Sequence, residues 1–103
     1  ATRPVQARTV VSVYVSARKL NFKDHIDVRG LRAAEALEEV RDFIDDAIMV
    51  GVGTVTILHG KGTGALKEEI RRYLRTVPEV ERAADEHADR GGAGITVVTL
   101  RMD

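Results

Sequence analysis

From His25 onward, apolar and polar positions alternate in two rhythms, and the rhythm changes at glycines. Ile26-Asp27-Val28, closed by Arg29-Gly30, predicts a short strand. From Ala33 to Val50, Leu37, Val40, Phe43, Ile44, Ala47 and Ile48 recur at helical spacing and predict one buried stripe. Arg32 stands where a Ser, Thr or Asp cap is expected, and Gly51 and Gly53 supply the stop. Thr54-Val55-Thr56-Ile57-Leu58 is the clearest strand. It runs into the loop His59-Gly60-Lys61-Gly62-Thr63-Gly64, followed by a helix over Ala65–Thr76 with Leu66, Ile70, Tyr73 and Leu74 inward and Pro78 beyond its end. Val80–Ala84 is a weaker edge strand, Arg90–Gly94 a turn, and Ile95–Arg101 the last strand.

The order strand–helix–strand–helix–strand–strand contains two crossovers, which favour right-handed parallel connections, and a closing turn that favours an antiparallel partner. The fold class expected is α/β, a mixed four-stranded sheet with two helices packed on it. Residues 1–24 read as a linker with one short strand candidate, Thr9–Val15, and residues 25–103 as the domain. The opening Ala-Thr-Arg-Pro reads as an excised C-terminal piece of a longer protein.

Composition narrows the class. With 44% hydrophobic and 31% charged residues, the chain can bury a core and is not a disordered tail. Two Tyr, two Phe and no Trp leave few platforms for stacking unpaired bases. The absence of cysteine excludes disulfide scaffolds and thiolate metal sites. No apolar run approaches the ~20 residues of a membrane span and no signal peptide opens the chain, so the expected location is the cytoplasm. A formal net charge of zero gives no global pull on a polyanion, so a nucleic-acid partner must be found by a local patch.

That patch is the strand–loop–helix from Thr54 to Lys67. Glycines 60, 62 and 64 let backbone amides approach an anion, and the next helix adds unpaired N–H groups and a positive dipole end. Lys61, Thr63 and Lys67 add charge or donors. A phosphate cradle and a tight turn needing positive φ explain this spacing equally well. The NTPase phosphate loop fails, because Val55 holds its first glycine position and Gly62 its Ser/Thr position. A dinucleotide fingerprint fits Gly60, Gly62 and Ala65, but too little chain follows for the rest of such a sheet.

His59, at the strand end, is either a general acid or base or a cap on the turn. Asp27 and Arg29 share one side of their strand, opposite Val28. If that strand is parallel to Thr54–Leu58, Asp27 reaches the same sheet edge to hold a divalent cation or orient water, and Arg29 to grip a phosphate oxygen. The alternative is an ion pair with each other. Lys67, Arg71 and Arg75, with Arg72 adjacent, form a basic row starting at the loop. Glu35, Glu38, Glu39, Asp42, Asp45 and Asp46 face Arg41 alone on the first helix, so the neutral total hides a dipolar domain.

These residues resemble a known family. Ile26-Asp27-Val28-Arg29-Gly30 is similar to the Leu-Asp-Leu-Arg-Gly opening of Smr (small MutS-related) domains, and His59–Gly64 matches their His-Gly-x-Gly-x-Gly loop. Gly91-Gly92-Ala93-Gly94-Ile95-Thr96 resembles their closing turn and last strand. The resemblance covers about Ile26 to Arg101 and is nearest to the C-terminal domain of the second bacterial MutS type. It implies a two-layer sandwich akin to the C-terminal domain of translation initiation factor three. It also implies an endonuclease that nicks DNA or RNA, often with Mg²⁺ or Mn²⁺, through Asp27, Arg29, His59, Gly60, Lys61 and Gly62.

The expected partners are nucleic acid, a ribosome, and the rest of a MutS-like ATPase in cis. Two departures are Arg32 and the polar, Ala-rich stretch Ala83–Asp89, which puts the edge strand in doubt. Phosphodiester cleavage is the leading expectation: loop amides, Lys61 and Arg29 hold the phosphate, while Asp27 and His59 manage nucleophile and leaving oxygen. The alternatives are a non-catalytic module docking onto nucleic acid or a ribosome, and a small-nucleotide binder.

Overall fold

The computed structural model describes residues 21–101, so the strand candidate Thr9–Val15 lies outside the described residues. Four strands, β1 (His25–Asp27), β2 (Thr54–Leu58), β3 (Val80–Asp85) and β4 (Ile95–Leu100), and two helices, α1 (Ala33–Val50) and α2 (Ala65–Leu74), follow the expected order. The sheet order is β1-β2-β4-β3, with β1 parallel to β2 and β4 antiparallel to both β2 and β3. It is the mixed four-stranded sheet that the pattern predicts.

The period-two alternation decides which face is covered. Val55 and Ile57 on β2, with Thr96, Val98 and Leu100 on β4, are buried, while the residues between them stay half-exposed or exposed. Val40 and Ile44 of α1 and Ile70 and Leu74 of α2 complete this one core with Val28. Each such aliphatic side chain contributes about 1.5–3 kcal/mol by leaving water. The α1 stripe sits slightly rotated from expectation: Ala36 and Val50 are buried, whereas Leu37 and Ile48 lie on its margin. Ahead of β1, Phe22 stacks on Phe43 at 5.6 Å.

Local chemistry accounts for the element ends. Arg32 cannot accept a hydrogen bond, but Glu35 reaches back to accept its backbone N–H at 3.4 Å, the half of a capping box the sequence retains. At the other end, Gly51 is left-handed at φ 77° and Val52 N–H bonds Ala47 O, a Schellman closure. Helix α2 stops at Leu74, two residues before the predicted end. Thr76 Oγ1 donates to the Tyr73 carbonyl at 2.6 Å, and Pro78 disfavours helical geometry at Val77. The doubtful edge strand forms and runs to Asp85, one residue beyond the predicted Ala84, with a register shift between Val80 and Arg82.

Candidate phosphate-binding site

The loop after β2 is tied to the turn before β4. His59 and Gly60 both donate backbone N–H groups to the Gly94 carbonyl, at 3.1 and 3.0 Å. Gly60, Gly62 and Gly64 have φ of 82°, 41° and 84°, a conformation costly for any side chain, so the turn explanation of these glycines is correct as far as it goes. A Cβ on Gly60 would lie 3.5 Å from Arg29 Cγ, and one on Gly94 3.5 Å from Lys61 Cγ. The stems of two cationic side chains thus cross bare backbone at the loop. Residues 59–67 line a concavity of about 160 Å³. Thr63 Oγ1 caps the Ala65 N–H at 3.3 Å, so Thr63 is spent on the helix start.

His59 forms the wall of this concavity and is 6% exposed. Its Nδ1 lies 2.8 Å from the Gly60 carbonyl, which can only accept, so Nδ1 carries the proton. Its Nε2 therefore accepts from the Thr96 hydroxyl at 2.7 Å. Thr96 Oγ1 in turn accepts from Arg71 Nε and Nη2, at 3.3 and 3.2 Å. Burial holds the imidazole below its ordinary pKa, and Lys67 and Arg71 push the same way against the Gly60 carbonyl and Asp85. His59 is a neutral ring with both nitrogens engaged. The acid–base role expected of it would require one of these bonds to open.

Asp27 and Arg29 reach the same sheet edge, because β1 is parallel to β2 with Asp27 opposite Leu58. They pair with each other: Arg29 Nε and backbone N donate to Asp27 Oδ1 at 3.0 Å, and Nη2 to Oδ2 at 2.8 Å. The guanidinium lowers the Asp27 carboxyl to about 2. Both side chains are solvent-exposed, so the pair opens at little cost when a phosphate competes for the fork.

The basic row is not free charge. Lys67 Nζ and Arg71 Nη2 converge on Asp85 Oδ1, at 2.7 and 2.6 Å. Arg75 is not brought to the loop but lines a separate groove near β3. Arg72 pairs with Glu69 within the helix. Two residues the sequence reading passed over, Asp85 and Thr96, therefore organise this flank. A weak signal existed: Thr96 interrupts an apolar inward row, and Asp85 lies opposite it across β3 and β4.

A divalent cation needs several oxygen ligands. Asp27 already accepts three N–H groups, Asp85 is held by two cations, and no three His, Cys, Asp or Glu side chains converge among the described residues. The residues present do not fit a resident Mg²⁺ or Mn²⁺. No helix among the described residues is long and apolar enough to cross a membrane.

Residues 26–101 match the model of the Smr domain family, a span that includes every candidate above. Endonuclease MutS2 of Halalkalibacterium halodurans is 39% identical over 99 residues, covering 96% of this chain and 12% of that protein. Endonuclease MutS2 of Thermus thermophilus is 50% identical over 76 residues, covering 74% and 10%. The chain thus spans 10 to 12% of the length of these curated relatives. The crystal structure of the Smr domain of Thermus thermophilus MutS2 matches with a TM-score of 0.74 and 48% identity over 77% of this chain and 99% of that one. YdaL, a stand-alone small MutS-related protein from Escherichia coli, matches with a TM-score of 0.72 and 25% identity over 76% and 64%.

Proposed function

Because this chain belongs to the Smr domain family, we propose that it binds nucleic acid, carried in cis by a MutS2-type protein, and grips the sugar–phosphate backbone for cleavage. The grip lies at Gly60–Gly64. The observation that carries this reading is the placement of Arg29 over Gly60 and Lys61 over Gly94, at the rim of a concavity that ends in the start of α2. Backbone amides, a helix N-terminus and two cations at one point suit a phosphodiester.

Asp27 supplies the switch. A phosphate that takes the Arg29 fork releases the carboxylate, which then loses its strongest stabilising partner and becomes a better base. The freed Asp27 accepts the proton of the attacking oxygen. Arg29, Lys61 and the loop amides neutralise the charge that builds on the phosphorus oxygens, and the leaving oxygen takes a proton from solvent at this exposed edge as its bond to phosphorus breaks. His59 acts as a positioning residue that holds the Gly60 carbonyl and with it the loop.

Low-salt cleavage of supercoiled DNA and of a structured RNA, by the parent domain beside Asp27→Asn, tests this. The parent should cut; the variant should bind and fail to cut. Equal cutting by both would refute the role of Asp27. A second reading, a docking module without chemistry, is favoured by the engagement of both His59 nitrogens, and binding with no cutting by the parent would select it.

A further inference from the structure

Beyond the loop, α2 and edge strand β3 enclose a second groove of about 460 Å³, lined by Arg71, Leu74, Arg75, Val80, Glu81, Arg82 and Ala83. Its floor is apolar: Leu74 is buried, and Val80 and Ala83 are half-buried. Arg75 and Arg82 rise from its two walls, both exposed, and neither side chain has a partner among the described residues. They differ in this from Lys67 and Arg71, whose charge Asp85 holds.

We infer that this groove is a second phosphate subsite, which takes the continuation of the same nucleic-acid strand that the loop grips. The inference rests on the reading of the loop as a backbone cradle. Helix α2 links the two places, since it starts at the loop and is capped at its far end by Arg75. Its ten residues span about 15 Å. Since even the duplex axis advances about 3.4 Å per phosphate on one strand, at most about four phosphates separate the ends.

The charge pattern along that path is cation, half-neutralised centre, cation. Lys61 and Arg29 stand at one end, the Lys67–Arg71–Asp85 cluster in the middle, and Arg75 and Arg82 at the other. Glu81 lines the same groove on the β3 wall, so the cationic surplus there comes from Arg75 and Arg82 together. Contacts of this kind read phosphates and not bases, so the subsite adds affinity without sequence preference. An acidic peptide is the competing occupant. A carboxylate engages a guanidinium fork through two bonds as a phosphate does, so what favours the nucleic-acid backbone is continuity with the loop.

The test is salt-dependent binding of short (about three nucleotides) and long (about twelve nucleotides) thymidine strands to parent domain and to Arg75→Gln/Arg82→Gln. Lys23→Gln/Arg90→Gln, an equal loss of exposed charge outside the groove, is the control. The inference predicts that Arg75→Gln/Arg82→Gln binds the long strand about tenfold more weakly at low salt, with a log–log salt slope shallower by about 1.4. The deficit should grow with strand length and exceed that of the control, with melting temperature unchanged. Long-strand affinity and slope equal to those of the parent would overturn the groove and leave the loop reading standing. Failure of the parent to bind either strand would remove both. Competition by a polyglutamate of matched charge as effective as the oligonucleotide would overturn the assignment to a nucleic-acid backbone.

Discussion

The Gly-rich loop has two flanks, and they are built on opposite principles. On the β1 side, Asp27 and Arg29 are two residues apart, exposed, and bound only to each other. On the β4 and β3 side, His59, Thr96, Arg71, Asp85 and Lys67 come from the loop, two strands and a helix and join through a fully buried hydroxyl. The first arrangement gives way to a competing anion because water screens it and replaces its bonds readily. The second resists change at its buried centre, because a bond lost at His59 or Thr96 leaves a desolvated polar atom, although Asp85 at its outer end is as exposed as Asp27. One flank is suited to respond to a ligand and the other to hold the loop still.

The largest effect expected is on stability, from Thr96→Val. The substitution is close to isosteric, but it deprives His59 Nε2 of its donor and Arg71 of an acceptor. It should cost about 1–3 kcal/mol in urea unfolding. Asp27→Asn removes only an exposed, water-screened pair and should lower the urea midpoint much less. Equal midpoints for the two variants would erase the contrast between the flanks.

pH separates them next. His59 has a folded pKa below its ordinary 6.5, so the unfolded chain binds the extra proton. Its contribution is complete above 6.5 and is lost as pH falls toward the folded value. Asp27, held near 2 against 3.8, loses its contribution only below 3.8. The unfolding midpoint should therefore drop between about pH 7 and pH 5, and His59→Gln should flatten that drop. A drop that survives in His59→Gln would place the titration elsewhere.

Binding effects are smaller. Asp85→Asn frees Lys67 and Arg71, so it should tighten oligonucleotide binding severalfold and steepen the salt slope by about 0.7–0.9. Weaker binding would mean that Asp85 serves the site by placing those cations and not by occupying them. Arg29→Gln should weaken binding a few-fold and make the slope shallower by a similar amount.

The same contrast governs what could be read from the sequence. Strand and helix periodicity predicted α1 from end to end and a mixed four-stranded sheet, since both follow from which residues are apolar and where glycines stand. The pairing of Asp27 with Arg29 was legible as one of two alternatives because it is local. The pairing of Asp85 with Lys67 and Arg71 was not, because it depends on the register between β3 and β4 and on the side of α2 that faces them. Lys67, Arg71 and Arg75 read as one basic row, and the fold divides it into a pair that shares one carboxylate and an arginine on a separate groove. His59 was legible by position, but its engagement on both sides needed Thr96, distant in sequence.

The most direct test of the central claim, that Gly60–Gly64 and the start of α2 form a backbone-phosphate grip, is an amide NMR titration of the domain with a short oligonucleotide at low salt. The account predicts that the amides of residues 60–67 and of Arg29 shift together and saturably. Shifts confined to the acidic face of α1, or no shifts within the loop at saturating ligand, would contradict it.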